Sequence, residues 1–194
     1  MNTEKLNIKD LVTIGIFAVV YFVVMFGSGM IGIVPILFLI WPTLLGIIAS
    51  TIVMLFMAKV PKAWALFIFG MLAPLAMFTG GHTIAVPLYA CVVLLIAEFI
   101  RRAGNFKSMM HNIAAAAVFN AWSCGSFLQI FLVRDRYLEL TRAVMGAEYT
   151  TALDKLMNYP TMGLIIVGAL VGGLIGGFIG KALLKKHFEK AGII

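Results

Sequence analysis

Four stretches of this chain, residues 11–58, 63–97, 108–133 and 156–180, contain no lysine, arginine, aspartate or glutamate. An α-helix needs roughly 20 apolar residues to cross the hydrocarbon of a bilayer, where unpaired backbone polar groups find no water. The first two stretches each have room for two helices joined by a turn, and the last two for one helix each. The spacing predicts an all-α integral membrane protein with six transmembrane helices, built as a single transmembrane domain over residues 1–194. A mean hydropathy of +1.06, with only 12% of residues charged, excludes a water-facing surface over most of that length.

The first span is expected from about Ile8 to Ser28, with Gly27, Gly29 and Gly32 marking the reversal. The second follows from about Ile33 to Met57, bent near its start by Pro35 and Pro42. Lys59, Pro61 and Lys62 close this hairpin, and a third span runs to about Phe78. Thr79-Gly80-Gly81-His82-Thr83 makes the next turn, and the fourth span reaches Arg101. After a basic loop through Lys107, the fifth covers Met109 to Val133 and the sixth Tyr159 to Leu184. The first apolar run follows Lys5 and Lys9, as in a secretory signal. It lacks a small-residue cleavage site and leads straight into another span, so it reads as a retained helix.

Alternating helices would gather Lys5, Lys9, Lys59, Lys62, Arg101, Arg102, Lys107, Lys181, Lys185, Lys186 and Lys190 on one side, 11 of the 15 basic residues. The other side keeps Arg134, Arg136, Arg142 and Lys155, beside Asp135, Glu139, Glu148 and Asp154. The positive-inside rule then places both N- and C-termini in the cytoplasm of a multi-pass protein of the cell membrane. In the outer connection, residues 134–158, apolar residues recur at Tyr137, Leu140 and Val144, then at Tyr149, Leu153 and Leu156. That is helical spacing interrupted near Gly146, and it predicts two short amphipathic helices. They would either rest on lipid headgroups or form a lid over the outer mouth.

The chemistry that is missing narrows the function. A net charge of +7 invites a nucleic-acid reading, but the basic residues lie between apolar spans and not on one wet face. Cys91 and Cys124 fall inside spans without metal-ligand spacing and read as small core residues, so neither cofactor nor metal is expected. The run Gly177-Phe178-Ile179-Gly180-Lys181-Ala182 fails as a phosphate loop, because Ile175 and Ala182 stand where Gly and Ser or Thr are required. Ion-driven carriers place charges within their helices, whereas Glu98, His82 and His111 sit at span edges. With no paired carboxylates, no metalloprotease motif and no nucleophile beside a base, the chain is not expected to be an enzyme.

What remains is uncharged: Tyr21, Trp41, Thr79, His82, Tyr89, Asn120, Trp122, Gln129 and Tyr159 all fall in the outer half. His82, Asn120, Trp122, Gln129, Trp41, Tyr89 and Tyr159 are candidate substrate-binding residues, with Arg134 covering them. Plainer roles exist for several. Tyr159 fits an interface anchor, His82 a loop histidine, and Asn120 an amide joining two helices. Gly168, Gly172, Gly176 and Gly180 form three G-x-x-x-G steps, widened by Gly173 and Gly177. Such a stripe admits another helix closely, either from this chain or from a second membrane subunit.

The opening Asp10-Leu11-Val12-Thr13-Ile14-Gly15-Ile16-Phe17, the turn at Thr79-Gly80-Gly81-His82-Thr83 and the Arg134-Asp135 pair carry a resemblance, as does the close Lys185-Lys186-His187-Phe188-Glu189-Lys190-Ala191-Gly192. Together they resemble the S components of energy-coupling factor (ECF) ABC transporters, and within them the Trep_Strep family, over nearly the whole chain. The resemblance implies a subunit that captures a micronutrient outside and docks on an ECF transmembrane scaffold subunit bearing two ATPase subunits. S components commonly meet the scaffold through Ala-x-x-x-Ala on the first helix; Gly15 and Ala18 occupy that region here without the spacing. A pocket rich in aromatics and poor in charge favours a vitamin-like heterocycle or a tetrapyrrole. The competing readings are a stand-alone membrane carrier or channel for a small apolar solute, and a membrane scaffold with no small ligand.

Overall fold

A computed structural model describes residues 5–185, and every regular element among them is helical. The closing motif from Lys186 onward lies outside the described residues. In chain order the helices are α1 (Ile8–Gly29), α2 (Pro35–Phe38), α3 (Trp41–Lys59), α4 (Ala65–Thr79), α5 (Ala85–Ala103), α6 (Met109–Asn120), α7 (Gly125–Leu132), α8 (Arg134–Met145), α9 (Ala147–Leu156) and α10 (Tyr159–Leu183). Short 3₁₀ turns at Met30–Ile33 and Ala121–Cys124 extend α1 and join α6 to α7. Four stretches are long and apolar enough to cross a membrane: Ile8–Ile33, Trp41–Lys59, Met109–Leu132 and Tyr159–Leu183. α4 has 15 residues with Pro74 inside it, and α5 carries Glu98, Arg101 and Arg102 near its end.

The helix starts follow from local chemistry. Asn7 and Asp10 form a capping box at α1, each side chain accepting the other's backbone N–H, at 3.0 and 2.8 Å. Asn158 caps α10 by accepting the Thr161 N–H at 2.9 Å. The first reversal comes later than the sequence suggested. α1 runs through Gly27 to Gly29, and the chain turns at the extended Val34 before Pro35 and again at Leu39–Ile40. The second span therefore starts at Trp41, not near Ile33, with Pro42 in its first turn, where a missing N–H breaks no helical bond.

Glycine sets how closely the central helices approach. A Cβ on Gly172 would meet the Thr43 carbonyl of α3, one on Gly176 the Gly46 and Ile47 carbonyls, and one on Gly180 would fall 2.8 Å from Met54 Cβ. Gly168 faces the Thr43 hydroxyl. One position along, Gly173 faces the Ala117 backbone at 2.6 Å and Gly177 the Ile113 side chain at 3.1 Å, both on α6. A Cβ on Gly46 of α3 would lie 2.5 Å from Asn120 Nδ2 and 2.6 Å from Gly173 N. The stripe thus joins α3, α6 and α10 within this chain. Gly15, by contrast, is exposed with nothing within 4 Å of its would-be Cβ, and Ala18 is half-buried beside it.

α1 packs from the side through Ile14, Tyr21 and Met25. The Tyr21 ring meets Phe69 at 5.6 Å and Phe119 at 5.7 Å, both edge-on, and Phe69 stacks on Phe119 at 5.5 Å. An ion pair of 2.9 Å from Lys62 to Asp10 ties the α3–α4 connection to the start of α1. One end of the bundle therefore carries Lys9, Lys59, Lys62, Arg101, Arg102, Lys107, Lys181 and Lys185. The other carries α8 and α9.

Candidate functional site

A column of uncharged polar side chains runs along α6, the 3₁₀ turn and α7. Asn120 ends α6 and donates both amide protons to backbone carbonyls, Pro42 O of α3 and Ala169 O of α10, each at 2.8 Å. The Ser123 hydroxyl donates to Asn120 O at 2.8 Å, a local bond that competes with the α-helical pattern where the 3₁₀ turn begins. Trp122 is fully buried and donates from Nε1 to the Tyr21 hydroxyl at 2.9 Å. Gln129 Oε1 accepts from both the backbone N–H and the hydroxyl of Thr83, at 2.8 Å each, and its Nε2 donates to Ser126 O at 3.1 Å. The Ser126 hydroxyl, also buried, has no hydrogen-bond partner among the described residues.

The α8–α9 hairpin follows α7, with α8 packed against α7 and α9 against α2. Its corner is Gly146 at φ +86°, a conformation that residues with a Cβ rarely adopt. Its own Tyr137, Thr150 and Leu153 are buried, and Arg134 pairs with Asp154 at 2.7 Å across the hairpin. The Tyr149 hydroxyl donates to Gly32 O at 2.7 Å, fastening α9 to the segment after α1. Within that segment Phe38 stacks on Trp41 at 5.8 Å and leans on Phe127 at 4.5 Å.

The residues singled out from the sequence fall into three groups. Asn120, Trp122 and Gln129 form the column. Trp41, which donates to the Ser28 hydroxyl at 3.2 Å, and Tyr89, half-buried with its ring against Gly125, flank it. His82 sits beside Thr83 in the α4–α5 turn, and burial holds its pKa below the ordinary imidazole value, favouring the neutral ring. Arg134 belongs to the hairpin. Tyr159 stands apart, 81% exposed and stacked on Phe131 at the rim. A cleft of about 470 Å³ along α8, lined by Asp135, Leu138, Glu139, Arg142 and Ala143, is likewise separate from the column.

Sequence reasoning placed Glu98 at a span edge and missed what it does with Arg101, one turn later. Both are fully buried. Glu98 accepts the backbone N–H groups of Trp64 at 2.7 Å and Phe67 at 3.3 Å, at the start of α4. Arg101 Nη2 donates to Met57 O at 2.7 Å and Val60 O at 2.6 Å, at the end of α3. Opposite charges thus complement the opposite dipole ends of two helices. The only sequence signal was the Glu-x-x-Arg spacing, which puts both groups on one face.

Residues 8–190 match the family model described as a hypothetical bacterial integral membrane protein, Trep_Strep. The chain belongs to that family. It is a multi-pass membrane protein of the bacterial cell membrane. No curated protein and no solved structure matches it.

In this Trep_Strep protein the Asn120 amide links three helices, so Asn120→Ala is expected to loosen the α3–α6–α10 contact. Loss of two interhelical hydrogen bonds should cost about 1–4 kcal/mol, since such bonds contribute roughly 0.6–2 kcal/mol each in membranes. Thermal unfolding in detergent, followed by helicity, measures it, and a midpoint equal to the parent's would contradict the assignment.

Proposed function

We propose that this chain is the substrate-binding S component of an ECF-type ABC importer, with six spans and both termini in the cytoplasm. α4 and α5 supply the two further crossings. α5 keeps its charges in its last turns, at the basic end, and the positive-inside rule puts that end in the cytoplasm and the α8–α9 hairpin outside. The observation that carries the reading is the buried, uncharged column that ends at Gln129 and Thr83, next to a helical hairpin latched at Gly32. Such a site suits capture of a neutral ligand. The buried charges Glu98 and Arg101 are committed to helix ends, so ion coupling has no relay in this column, and energy comes from a docked scaffold with two ATPases.

The ligand is a largely apolar, planar molecule, a vitamin-like heterocycle or a tetrapyrrole, held mainly by aromatic faces and oriented by a few polar groups. Trp41 and Tyr89 offer the faces and neutral His82 a hydrogen bond, while Trp122 and Gln129, fully buried and bonded to Tyr21, Thr83 and Ser126, hold those groups in place. Asn120 fixes the floor, Arg134 braces the hairpin, and Tyr159 guards the rim. Scaffold docking uses the exposed α1 face around Gly15 and Ala18.

Mass spectrometry of small molecules released from the purified, denatured protein identifies the ligand. Trp122→Ala and His82→Ala should each weaken its binding about tenfold, roughly 1.4 kcal/mol. Parent-like affinity in both would refute the pocket. Proteoliposomes holding this chain alone should bind ligand without accumulating it; uptake against a gradient would establish a stand-alone carrier instead.

A further inference from the structure

We propose that the basic end of the bundle holds the phosphate of an anionic phospholipid at Arg102, on an aromatic shelf made by Trp64 and Phe99. Consecutive residues of a helix point about 100° apart, so the two arginines that end α5 part company. Arg101 turns into the bundle. Arg102 turns outward, with its guanidinium carbon 5.1 Å from the Trp64 ring centroid and 5.8 Å from that of Phe99. The two rings meet edge to face at 6.5 Å, and they are 42% and 52% exposed. They therefore face the medium around the bundle where the apolar length of α5 gives way to charge, which is headgroup depth.

Cation–π contact with the two rings holds the guanidinium at the shelf, and among the described residues no hydrogen bond engages its N–H groups, a fork that can grip two phosphate oxygens at once. The nearby carboxylates are already engaged. Glu98 accepts the Trp64 and Phe67 N–H groups, and Asp10 pairs with Lys62. Among the described residues no carboxylate pairs with Arg102, while Lys59 and Lys107 are exposed at the same end. The local excess of positive charge selects an anionic over a zwitterionic lipid.

Native mass spectrometry of the full chain in detergent, with equal amounts of phosphatidylglycerol and phosphatidylcholine, tests this. The parent should retain phosphatidylglycerol preferentially, and Arg102→Gln should reduce that retention about fivefold, the contribution of one basic group at a membrane surface. Arg136→Gln, at the other end, should leave it unchanged. Trp64→Leu, which removes one ring of the shelf and keeps the charge, should lower retention by a smaller factor and serves as the second arm if Arg102→Gln loses helicity. Equal retention of the two lipids by the parent, or parent-like retention in Arg102→Gln and Trp64→Leu, would overturn the site. Displacement of the lipid by millimolar inorganic phosphate would identify a free-anion site and overturn the lipid assignment.

Discussion

Leucine at Gly172 or Gly176 should abolish the native packing of α10, the largest effect expected of any single substitution in the glycine stripe. At both positions the new Cβ meets backbone carbonyls of α3, at Thr43 in the first case and at Gly46 and Ile47 in the second. A side chain can rotate out of the way, but a carbonyl inside a helix moves only with its helix. Overpacking in cores usually costs about 1–3 kcal/mol, and a clash with backbone belongs at or beyond the upper end. The separation cannot be confined to one contact. Gly173 and Gly177 hold the neighbouring face of α10 against α6, and Asn120 bonds to both α3 and α10, so a shift of α10 breaks these as well. Monodisperse yield and the thermal midpoint in detergent are the readouts. Gly15→Leu and Gly163→Leu, where nothing lies within 4 Å, provide the controls and should match the parent. Parent-like midpoints in both stripe variants would mean that α10 does not depend on this approach.

The sequence made legible whatever depends on local pattern. Charge-free stretches located the long apolar helices, and the broken amphipathic spacing around Gly146 located α8 and α9. The glycine stripe was visible too, though its partner was not, because G-x-x-x-G serves any close helix. Gly27, Gly29 and Gly32 misled because none of them takes a left-handed φ. Gly29 instead lies beside the Trp41 indole, at 3.7 Å from its would-be Cβ, and Gly32 beside the Phe38 ring. Only Gly32 makes room for a ring, since a Cβ on Gly29 would merely touch the indole and one on Gly27 would meet nothing, and Pro35 and the turn at Leu39–Ile40 reverse the chain. The site was legible only as a set of residue types. Asn120 finds its acceptors 78 and 49 residues away, and Gln129 finds Thr83 at a separation of 46, pairings that no local pattern encodes.

Arg101→Met should destabilise the protein by about 3–5 kcal/mol, the cost of removing one partner from a buried charged arrangement. Methionine keeps most of the volume, so the change isolates the lost hydrogen bonds and charge. Met57 O and Val60 O, which end α3, would lose their donors, and Glu98 would stay buried without a compensating cation. The damage concentrates where the fold is already strained, since Trp64 between α3 and α4 sits at φ +68°, a left-handed conformation that costs roughly 1–2 kcal/mol for a residue with a Cβ. Arg101→Lys should recover only part of the loss, because an ammonium is a compact point charge without the planar fork. Glu98→Gln should be milder than Arg101→Met, as its amide oxygen can still accept the Trp64 N–H. The double variant should then be more stable than the sum of the single losses predicts, because a neutral amide in place of the Glu98 carboxylate leaves no buried anion unpaired when the guanidinium is gone. Unfolding of all four proteins in detergent, followed by helicity, completes the cycle. Strict additivity, or an Arg101→Met midpoint equal to the parent's, would show that Glu98 and Arg101 cap their helices independently and that the α3–α4 corner stands without them.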